Sequence, residues 1–516
     1  MEIKPTYEEL LGAIEELRRK EIAYKQRIAY LTRMLYGSKK DSLDEKTLKD
    51  LKSSNIIDGQ PGLFDDYFKE AMAEKAEEIE KTAKEIDKAT ENRRKAARKT
   101  KKRPSIYQYY GLEERERFII PEGVDLSNCV EIGRDITRLI RYEKPRLWVD
   151  VIIRPIYREK SDKNLPDPRI YQGEAQKAVI GGNHVGADFL AKIVVDKFCY
   201  HIPEYRQVKQ YADMGVKLPM STLNDWIHAV AAKLNVLYEA QRKDVRQSGY
   251  LGIDEVPWHI VDRPGKKRNG YAWQFFDSRP DSHGLYFLYM NGSRAGTIPR
   301  AELRNYRGAI QTDGYGVYDY FELQDGVTLL GCMAHVRRKF VDAQTSHPEL
   351  AAKAVRWISL LYELEANLKD EGATAERIEA ERKAKALPIL DAMDKWMEAV
   401  SAQCTPSDPM GKALEYAYRL WPRLRRYTDN GIYQIDNNAV ERNQRPTVLG
   451  RKNYLFSKND KGAVDNAIFY TLLESCDIVG INPQDWLTDV LANLHDDTPP
   501  DQIKQMLPFY YKKSHE

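Results

Sequence analysis

The chain has 516 residues, with 81 basic and 78 acidic side chains that leave a formal net charge of only +3. A hydrophobic fraction of 42% is ordinary for a globular protein, and at this length we expect three or more domains. We find no signal-peptide pattern and no apolar run long enough to cross a bilayer. Five scattered cysteines suit a reducing cytoplasm and not a disulfide framework, so we expect a cytoplasmic protein.

The first segment, 1–50, carries a heptad stripe over residues 7–36. Its apolar positions are Leu10, Ile14, Leu17, Tyr24, Ile28, Leu31 and Leu35. This spacing predicts a coiled coil that joins two copies of the chain into a homo-oligomer. The alternative is an amphipathic helix that packs on its own protein.

The next segment, 51–103, is a charged linker. Alternating Glu and Lys over 74–90 favour a solvated helix. A basic run follows, and its candidate phosphate contacts are Arg93, Arg94, Lys101, Lys102 and Arg103. Such a run attracts nucleic acid without sequence preference, although a disordered solvated linker has the same composition.

Residues 104–175 contain β-rich stretches such as LWVDVIIRPIY and predict a small β-containing module. Residues 176–247 are helical. Within them YADMGVKLPMSTLNDWI has the pattern of a helix-turn-helix, with Ser221 and Thr222 capping the second helix. In that arrangement Ser221, Thr222 and Asn224 face a DNA groove. A plain three-helix bundle fits the same pattern.

Three β-rich runs, 250–261, 271–276 and 285–290, are separated by the loops GKKRNG and DSRPDSHG, which suit hairpins. Two further short runs, 309–312 and 327–330, enclose a short helix and predict a parallel pair. This order is the RNase H plan, in which the first and fourth strands are neighbours. It would bring Asp254 and Asp313 together, although Asp313-Gly314 alone reads as an ordinary turn.

A third carboxylate follows in IDNNAVERNQRP, where Asn437-Asn438 can cap a helix that holds Glu441 one turn inside. Two aspartates and a glutamate from separate elements predict a cage for two Mg²⁺ or Mn²⁺ ions. Residues 346–430 are a helical insertion that contacts DNA or a partner subunit, or simply braces the fold. The C-terminal segment, 471–516, ends in a helix with Trp486, Leu487, Val490 and Leu491 on one face.

Five stretches carry a resemblance to a known family: GIDEVP, GAIQTDGYGVYDYF, GCMAHVRRKF, IDNNAVERNQRP and LGRKNYLF. In this order they resemble the insertion-sequence-66 type of DDE transposase, over nearly the whole chain. The resemblance implies a multidomain α+β protein with an RNase H-like core at 248–345 and 431–470. It also implies a catalytic, metal-binding triad of Asp254, Asp313 and Glu441.

The same resemblance implies a bacterial enzyme, nucleoid-associated when bound to DNA, that cleaves element ends and joins them to target DNA. Companion proteins of the same element are candidate partners. His335, which forms a C-x-x-H pair with Cys332, is then a candidate contact for the scissile phosphate or for a triad carboxylate. Further candidate phosphate contacts are Arg337, Arg338, Arg442, Arg451 and Lys452; each could instead be a solvated surface charge.

The family usually carries a zinc knuckle with paired cysteines near 104–175, but here only Cys129 stands in that region and no C-x-x-C occurs. A tetrahedral site needs about four ligands, so we expect no zinc. Two other functions stay open. One is a non-catalytic DNA-binding regulator derived from a transposase, which the intact triad disfavours, and the other is a nuclease without strand transfer.

Overall fold

The computed structural model describes residues 79–95, 145–158, 170–175, 177–181, 185–263, 266–401 and 404–515. The predicted coiled coil lies outside these residues, as do Lys101, Lys102, Arg103 and Cys129. Of the helices that the described ranges contain, none is both long and apolar enough to cross a membrane.

The described strands form a small hairpin and one larger mixed sheet. They are β1 (Ile156–Arg158), β2 (Ile170–Gln172), β3 (Tyr250–Arg263), β4 (Lys266–Asp277), β5 (Leu285–Tyr289), β6 (Gly308–Gln311) and β7 (Val327–Leu330). The larger sheet has the order β5-β4-β3-β6-β7. Strands β5, β4 and β3 pair antiparallel, whereas β3 with β6 and β6 with β7 pair parallel. The prediction that the first and fourth strands of this sheet are neighbours is confirmed.

The hairpin of β3 and β4 is longer than the sequence predicts. GKKRNG was expected to be a loop, yet β4 begins at Lys266, and Arg268 and Gly270 pair with Ile260 and Trp258. A charged segment can continue an antiparallel ladder when its backbone finds partners, because side chains on one face remain in water. The prediction of a loop at GKKRNG is therefore wrong.

The edge strand β5 is covered by a helix that donates and accepts hydrogen bonds through hydroxyls. Helix α12, Asp460–Val479, is buried on all sides over 467–476. Thr471 Oγ1 accepts from Phe287 N at 2.9 Å, and Ser475 Oγ accepts from Leu285 N at 3.2 Å. These bonds satisfy backbone groups that an edge strand would otherwise expose to pairing with another chain.

The helices that precede the sheet are α1 (79–95), α2 (Ala187–Phe198), α3 (Glu204–Asp213) and α4 (Met220–Arg246). The turn between α3 and α4 contains Gly215 at φ +93°, as the predicted helix-turn-helix pattern requires of a glycine. Helix α4 begins at Met220, before the predicted cap, with Pro219 at the N-cap and no side-chain cap. The prediction that Ser221 and Thr222 cap this helix is therefore wrong, because both lie inside its first turn.

The inserted helices form a core of their own. They follow α5 (Thr297–Glu302), which lies between β5 and β6, and α6 (Met333–Asp342), which comes directly after β7. The inserted helices are α7 (Pro348–Asp370), α8 (Ala375–Glu381), α9 (Leu387–Ser401) and α10 (Pro409–Arg425), with a π-helical turn at Arg382–Ala386. Met333 and Phe340 of α6 share this core with α7, α9 and α10. The insertion is thus continuous with the sheet region through α6.

Helix α1 packs on this insertion instead of lying free in solvent. Ile86 is buried in the core of the insertion, and Asp87 pairs with Arg356 at 2.6 Å. Arg93 lies 3.5 Å from Asp370. The helix predicted from the Glu and Lys pattern exists, but one of its faces is packed, because Ile79 and Ile86 recur at the spacing of two helical turns.

The C-terminal helices return to the sheet region. They are α11 (Asn438–Tyr454), α12, α13 (Pro483–Asn493), α14 (Pro500–Gln505) and α15 (Pro508–His515). Trp486, Leu487, Val490 and Leu491 are all buried, which confirms the predicted apolar face of α13. Trp486 Nε1 also donates to Met506 O at 2.9 Å, which fixes the chain segment between α14 and α15.

Candidate active site

The register of β3 and β6 brings two aspartates together at the carboxyl end of β6. Gly252 pairs with Gln311 in parallel, and two residues further along each strand stand Asp254 and Asp313. Carboxyl ends of parallel strands are where α/β folds place their sites. The structure therefore places the two predicted aspartates side by side.

The neighbouring carboxylates affect the ionisation of Asp254. Burial, followed by the negative charges of Glu255, Asp313 and Glu441, raises the pKa of the Asp254 carboxyl to about 8. The backbone N–H of Glu255 donates to Asp254 Oδ1 at 2.9 Å and offsets part of this rise. Asp254 thus experiences the charge of both other predicted site carboxylates, Asp313 and Glu441, and a cation at this position would relieve the repulsion.

This raised pKa predicts a stability difference that depends on pH. An acid whose pKa rises on folding binds its proton more tightly in the folded state, so metal-free stability falls as pH rises from about 4 to about 8. In EDTA we expect the melting temperature of Asp254→Asn to exceed that of the wild type by roughly 2–4 °C more at pH 8.5 than at pH 5.5, which corresponds to about 1–2 kcal/mol. Thermal melts at both pH values measure this, and an equal difference at both would contradict it.

Glu255 faces the other side of the strand, as the alternation of side chains predicts. Its carboxylate accepts from Arg294 Nε at 2.8 Å and from the Tyr318 hydroxyl at 2.8 Å, and only 9% of the residue is exposed. The buried Glu255 carboxylate therefore has a structural role, because its bonds tie β3 to Arg294 and Tyr318. It is not a member of the cluster around Asp254.

Asp313 lies in a turn against which helix α10 of the insertion packs. Its Oδ1 accepts from the backbone N–H of Tyr315 at 2.8 Å, so the turn interpretation of Asp313 is correct as well. From α10, Arg419 Nη2 donates to Gly314 O at 2.7 Å. A Cβ at Gly314 would lie 2.6 Å from both the Tyr416 hydroxyl and Leu420 Cδ1. Any larger residue at position 314 would push α10 away from the turn.

Glu441 is brought to the same edge by the start of α11. Asn437 is the N-cap of α11, but its side chain does not cap the helix. Instead its Nδ2 donates to Ile253 O at 3.3 Å, next to Asp254 on β3. A Cβ at Gly252 would lie 2.4 Å from Val440 Cγ2, so β3 and α11 approach as closely as a glycine allows.

His335 lies at the start of α6 with its Nε2 3.7 Å from Glu441 Oε1, which is beyond hydrogen-bond distance.

Several buried polar atoms near the carboxylates have no hydrogen-bond partner among the described residues: His335 Nδ1, Asn437 Oδ1, Gln444 Nε2 and both polar side-chain atoms of Gln274, which pairs with Asp254 across the strands. Buried polar groups are rarely left unpaired, so these atoms are candidate contacts for a ligand.

The carboxylates of Asp254, Asp313 and Glu441 are near one another but do not form a closely spaced cluster. Among the described residues, the oxygens of Asp254, Asp313 and Glu441 do not form a group in which all three lie within 4.8 Å of one another.

The predicted phosphate contacts are distributed differently around this edge. Arg337 and Arg338 are exposed on α6, and Arg442 and Lys452 are exposed on α11. Arg451 instead donates through Nη1 to Pro257 O, and this bond ties α11 to β3. The Asn224 side chain, predicted to reach a DNA groove, donates to Glu204 at 3.3 Å.

Sequence reasoning missed three residues that position the site, namely Tyr416, Arg419 and Asn437. Burial and then the charge of Asp313 raise the pKa of the Tyr416 hydroxyl to about 12, which places α10 beside the triad. Asn437 was assigned to helix capping. A Gly after an Asp at the end of a strand was the one available signal that something packs closely there.

Two protein-family profiles match the chain. The profile of the Transposase IS66 family matches residues 182–465, and that of the IS66 C-terminal element matches residues 471–509. The first match alone covers more than half of the chain and contains all three carboxylates. The chain belongs to the IS66 family of transposases.

Relatives in this family extend over the same length. The chain is 27% identical to Uncharacterized protein y4jD of Sinorhizobium fredii (strain NBRC 101917 / NGR234), with 98% of each chain covered. It is also 27% identical to Uncharacterized protein y4hP of the same strain, covering 80% of this chain and 78% of that one. No solved structure matches the chain significantly. Membership of the IS66 family supports a role in transposition and binding to DNA.

Proposed function

We propose that this IS66 family member is a DNA transposase whose catalytic residues are Asp254, Asp313 and Glu441 on an RNase H-like core. The observation that carries the proposal is the convergence of these three carboxylates, from β3, the turn after β6 and the first turn of α11, at one sheet edge. The strand order β5-β4-β3-β6-β7, with three antiparallel strands followed by two parallel ones, supports the RNase H-like assignment.

The residues present fit divalent cations. Carboxylate oxygens are the ligands that Mg²⁺ and Mn²⁺ prefer, and the mutual repulsion at Asp254 needs positive charge nearby. The unpaired amide of Gln274 and the unpaired Gln444 Nε2 offer hydrogen bonds to water or phosphate beside them. Asp254, Asp313 and Glu441 would hold two such ions, which supply Lewis acidity at the phosphodiester and lower the pKa of a water molecule.

The remaining chemistry is positioning. Arg337, Arg338, Arg442 and Lys452 would hold DNA phosphates along the site, and His335 would contact the scissile phosphate or orient Glu441. Water attacks the phosphorus at an element end, its oxygen forms the new bond, and the 3′ oxygen leaves as a hydroxyl. That hydroxyl then attacks a target phosphodiester and displaces a second 3′ oxygen, while each nucleophile's proton passes to solvent.

A cleavage and joining assay tests the proposal. Purified chain is incubated with labelled duplexes that carry the element ends, with Mg²⁺, and gels resolve nicked products from products joined to a target duplex. Nicking and joining together support a transposase, and nicking alone supports a nuclease. Binding with neither reaction, in a chain that takes up Mn²⁺, supports a DNA-binding regulator and contradicts the proposal.

The exposed arginines of α6 give a separate prediction about DNA affinity. Each phosphate contact contributes roughly one unit to the salt dependence of binding, so Arg337→Ala with Arg338→Ala should reduce the slope of log affinity against log salt by about 2. Fluorescence anisotropy over a salt series measures this slope. The matched control replaces two exposed arginines after β5, Arg300 and Arg304. Equal slopes for both double variants would show that α6 does not contact DNA.

A further inference from the structure

We propose that His347, Cys404 and Asp408 form a zinc-binding site in the helical insertion, separate from the carboxylates of the sheet edge. One ligand atom from each side chain lies within 4.8 Å of the other two, and among the described residues this is the one group of His, Cys, Asp and Glu side chains so arranged. The inference is independent of the transposase reaction, because it concerns a different set of ligands.

Asp408 is oriented toward this group instead of toward its own helix. It occupies the N-cap of α10, where an aspartate normally accepts from the backbone N–H groups of the first turn, yet it makes no such bond. Its Oδ2 is buried 3.1 Å from His347 Nδ1 at the distance of an ion pair, and the same nitrogen lies 3.1 Å from Ser346 Oγ. A zinc ion shared by the imidazole and the carboxylate would take the place of this contact, with ligand bonds of about 2.0–2.2 Å.

The chemistry of the three ligands selects the metal. Imidazole nitrogen, thiolate sulfur and carboxylate oxygen are the ligands that Zn²⁺ takes, whereas Mg²⁺ avoids sulfur. Three protein ligands leave the fourth tetrahedral position to water, and the imidazole is 35% exposed, so an ion can enter from solvent. The thiolate and the carboxylate carry two negative charges, which outweigh the partial positive charge of about half a unit at each helix N-terminus.

A zinc ion here would connect the starts of two helices. His347 is the N-cap of α7, and Asp408 is the N-cap of α10. Further along α10 lie Tyr416 and Arg419, which contact the turn of Asp313. The ion would therefore hold the helix that packs against the carboxylate site. The sequence does not predict this site, because its ligands come from two separate loops and include a single cysteine.

Cobalt substitution of the full chain tests the site directly. Co²⁺ bound to a thiolate gives an intense near-ultraviolet charge-transfer band, whereas Co²⁺ on carboxylates alone gives none. We expect one band per chain, saturating at one equivalent of Co²⁺ and displaced by Zn²⁺ but not by Mg²⁺. Cys404→Ser should abolish the band, and His347→Gln should weaken Co²⁺ affinity by at least about tenfold.

Cys199→Ser is the matched control, since Cys199 is also a half-buried free cysteine and lies outside the group. It should leave the band unchanged, and the melting temperature of the wild type, but not of Cys404→Ser, should rise with equimolar Zn²⁺. Absence of a band in the wild type overturns the proposal. So does a band that survives in Cys404→Ser, or one that disappears in Cys199→Ser.

Discussion

Asp313→Asn is expected to lower the rate of strand cleavage by at least about 10³-fold, because the loss of one metal-binding carboxylate removes roughly 4 kcal/mol of charge stabilisation in the transition state. The asparagine retains an Oδ1 that can accept from Tyr315 N, so the turn itself is preserved. Affinity for DNA should stay equal or rise, since a negative charge leaves a surface that faces phosphates. Gel assays of nicking and anisotropy of binding measure the two effects.

Asp313→Ala separates the two roles of this residue, since it removes the charge and the turn bond together. If Asp313 holds metal, both variants are inactive, and Asp254→Ala and Glu441→Ala are inactive too. If Asp313→Asn cleaves at the wild-type rate while Asp313→Ala does not, the residue acts only through the turn and the triad assignment is wrong. Asp325→Ala, an exposed aspartate in the turn before β7, is the control and should cleave normally.

The pairing of β3 with β6 could be predicted because it follows from local signals. Alternating apolar runs, turn residues between them and a helical stretch before a second parallel strand leave few topologies open. The pair Asn437-Asn438 also located the start of α11, although the Asn437 side chain donates to β3 instead of capping the helix. The two aspartates could then be placed next to each other once the strand order was chosen.

Contacts between distant segments could not be predicted in this way. Arg419 reaches Gly314 across 105 positions of sequence, and Asn437 reaches Ile253 across 184. Neither bond leaves a periodic pattern, because each depends on how a whole helix packs. The hairpin loop was misplaced for a related reason: the charged residues of GKKRNG indicate a turn locally, but pairing with β3 overrides that preference.

Packing of α10 against the active-site turn leads to a second large effect, at Gly314. A methyl group there would lie 2.6 Å from the Tyr416 hydroxyl and 2.9 Å from its ring carbon Cζ, and the ring cannot flex out of the way as a long aliphatic chain could. Either the turn or α10 must move. Since misplacement of a catalytic group by about 1 Å can cost roughly 10²-fold in rate, we expect Gly314→Ala to cleave about 10²-fold more slowly.

Gly316→Ala is the matched control, because it lies two residues away and its added methyl group would have no neighbour nearer than Asp319 Oδ2 at 3.6 Å. It should cleave within about twofold of the wild type, since such a separation is ordinary van der Waals contact. Adding Tyr416→Ala to Gly314→Ala should recover part of the lost rate by removing the obstructing ring. Melting curves and Mn²⁺ titrations of the same variants separate a displaced carboxylate from an unfolded chain. If Gly314→Ala and Gly316→Ala cleave equally fast, then α10 does not position Asp313, and the insertion contributes stability alone.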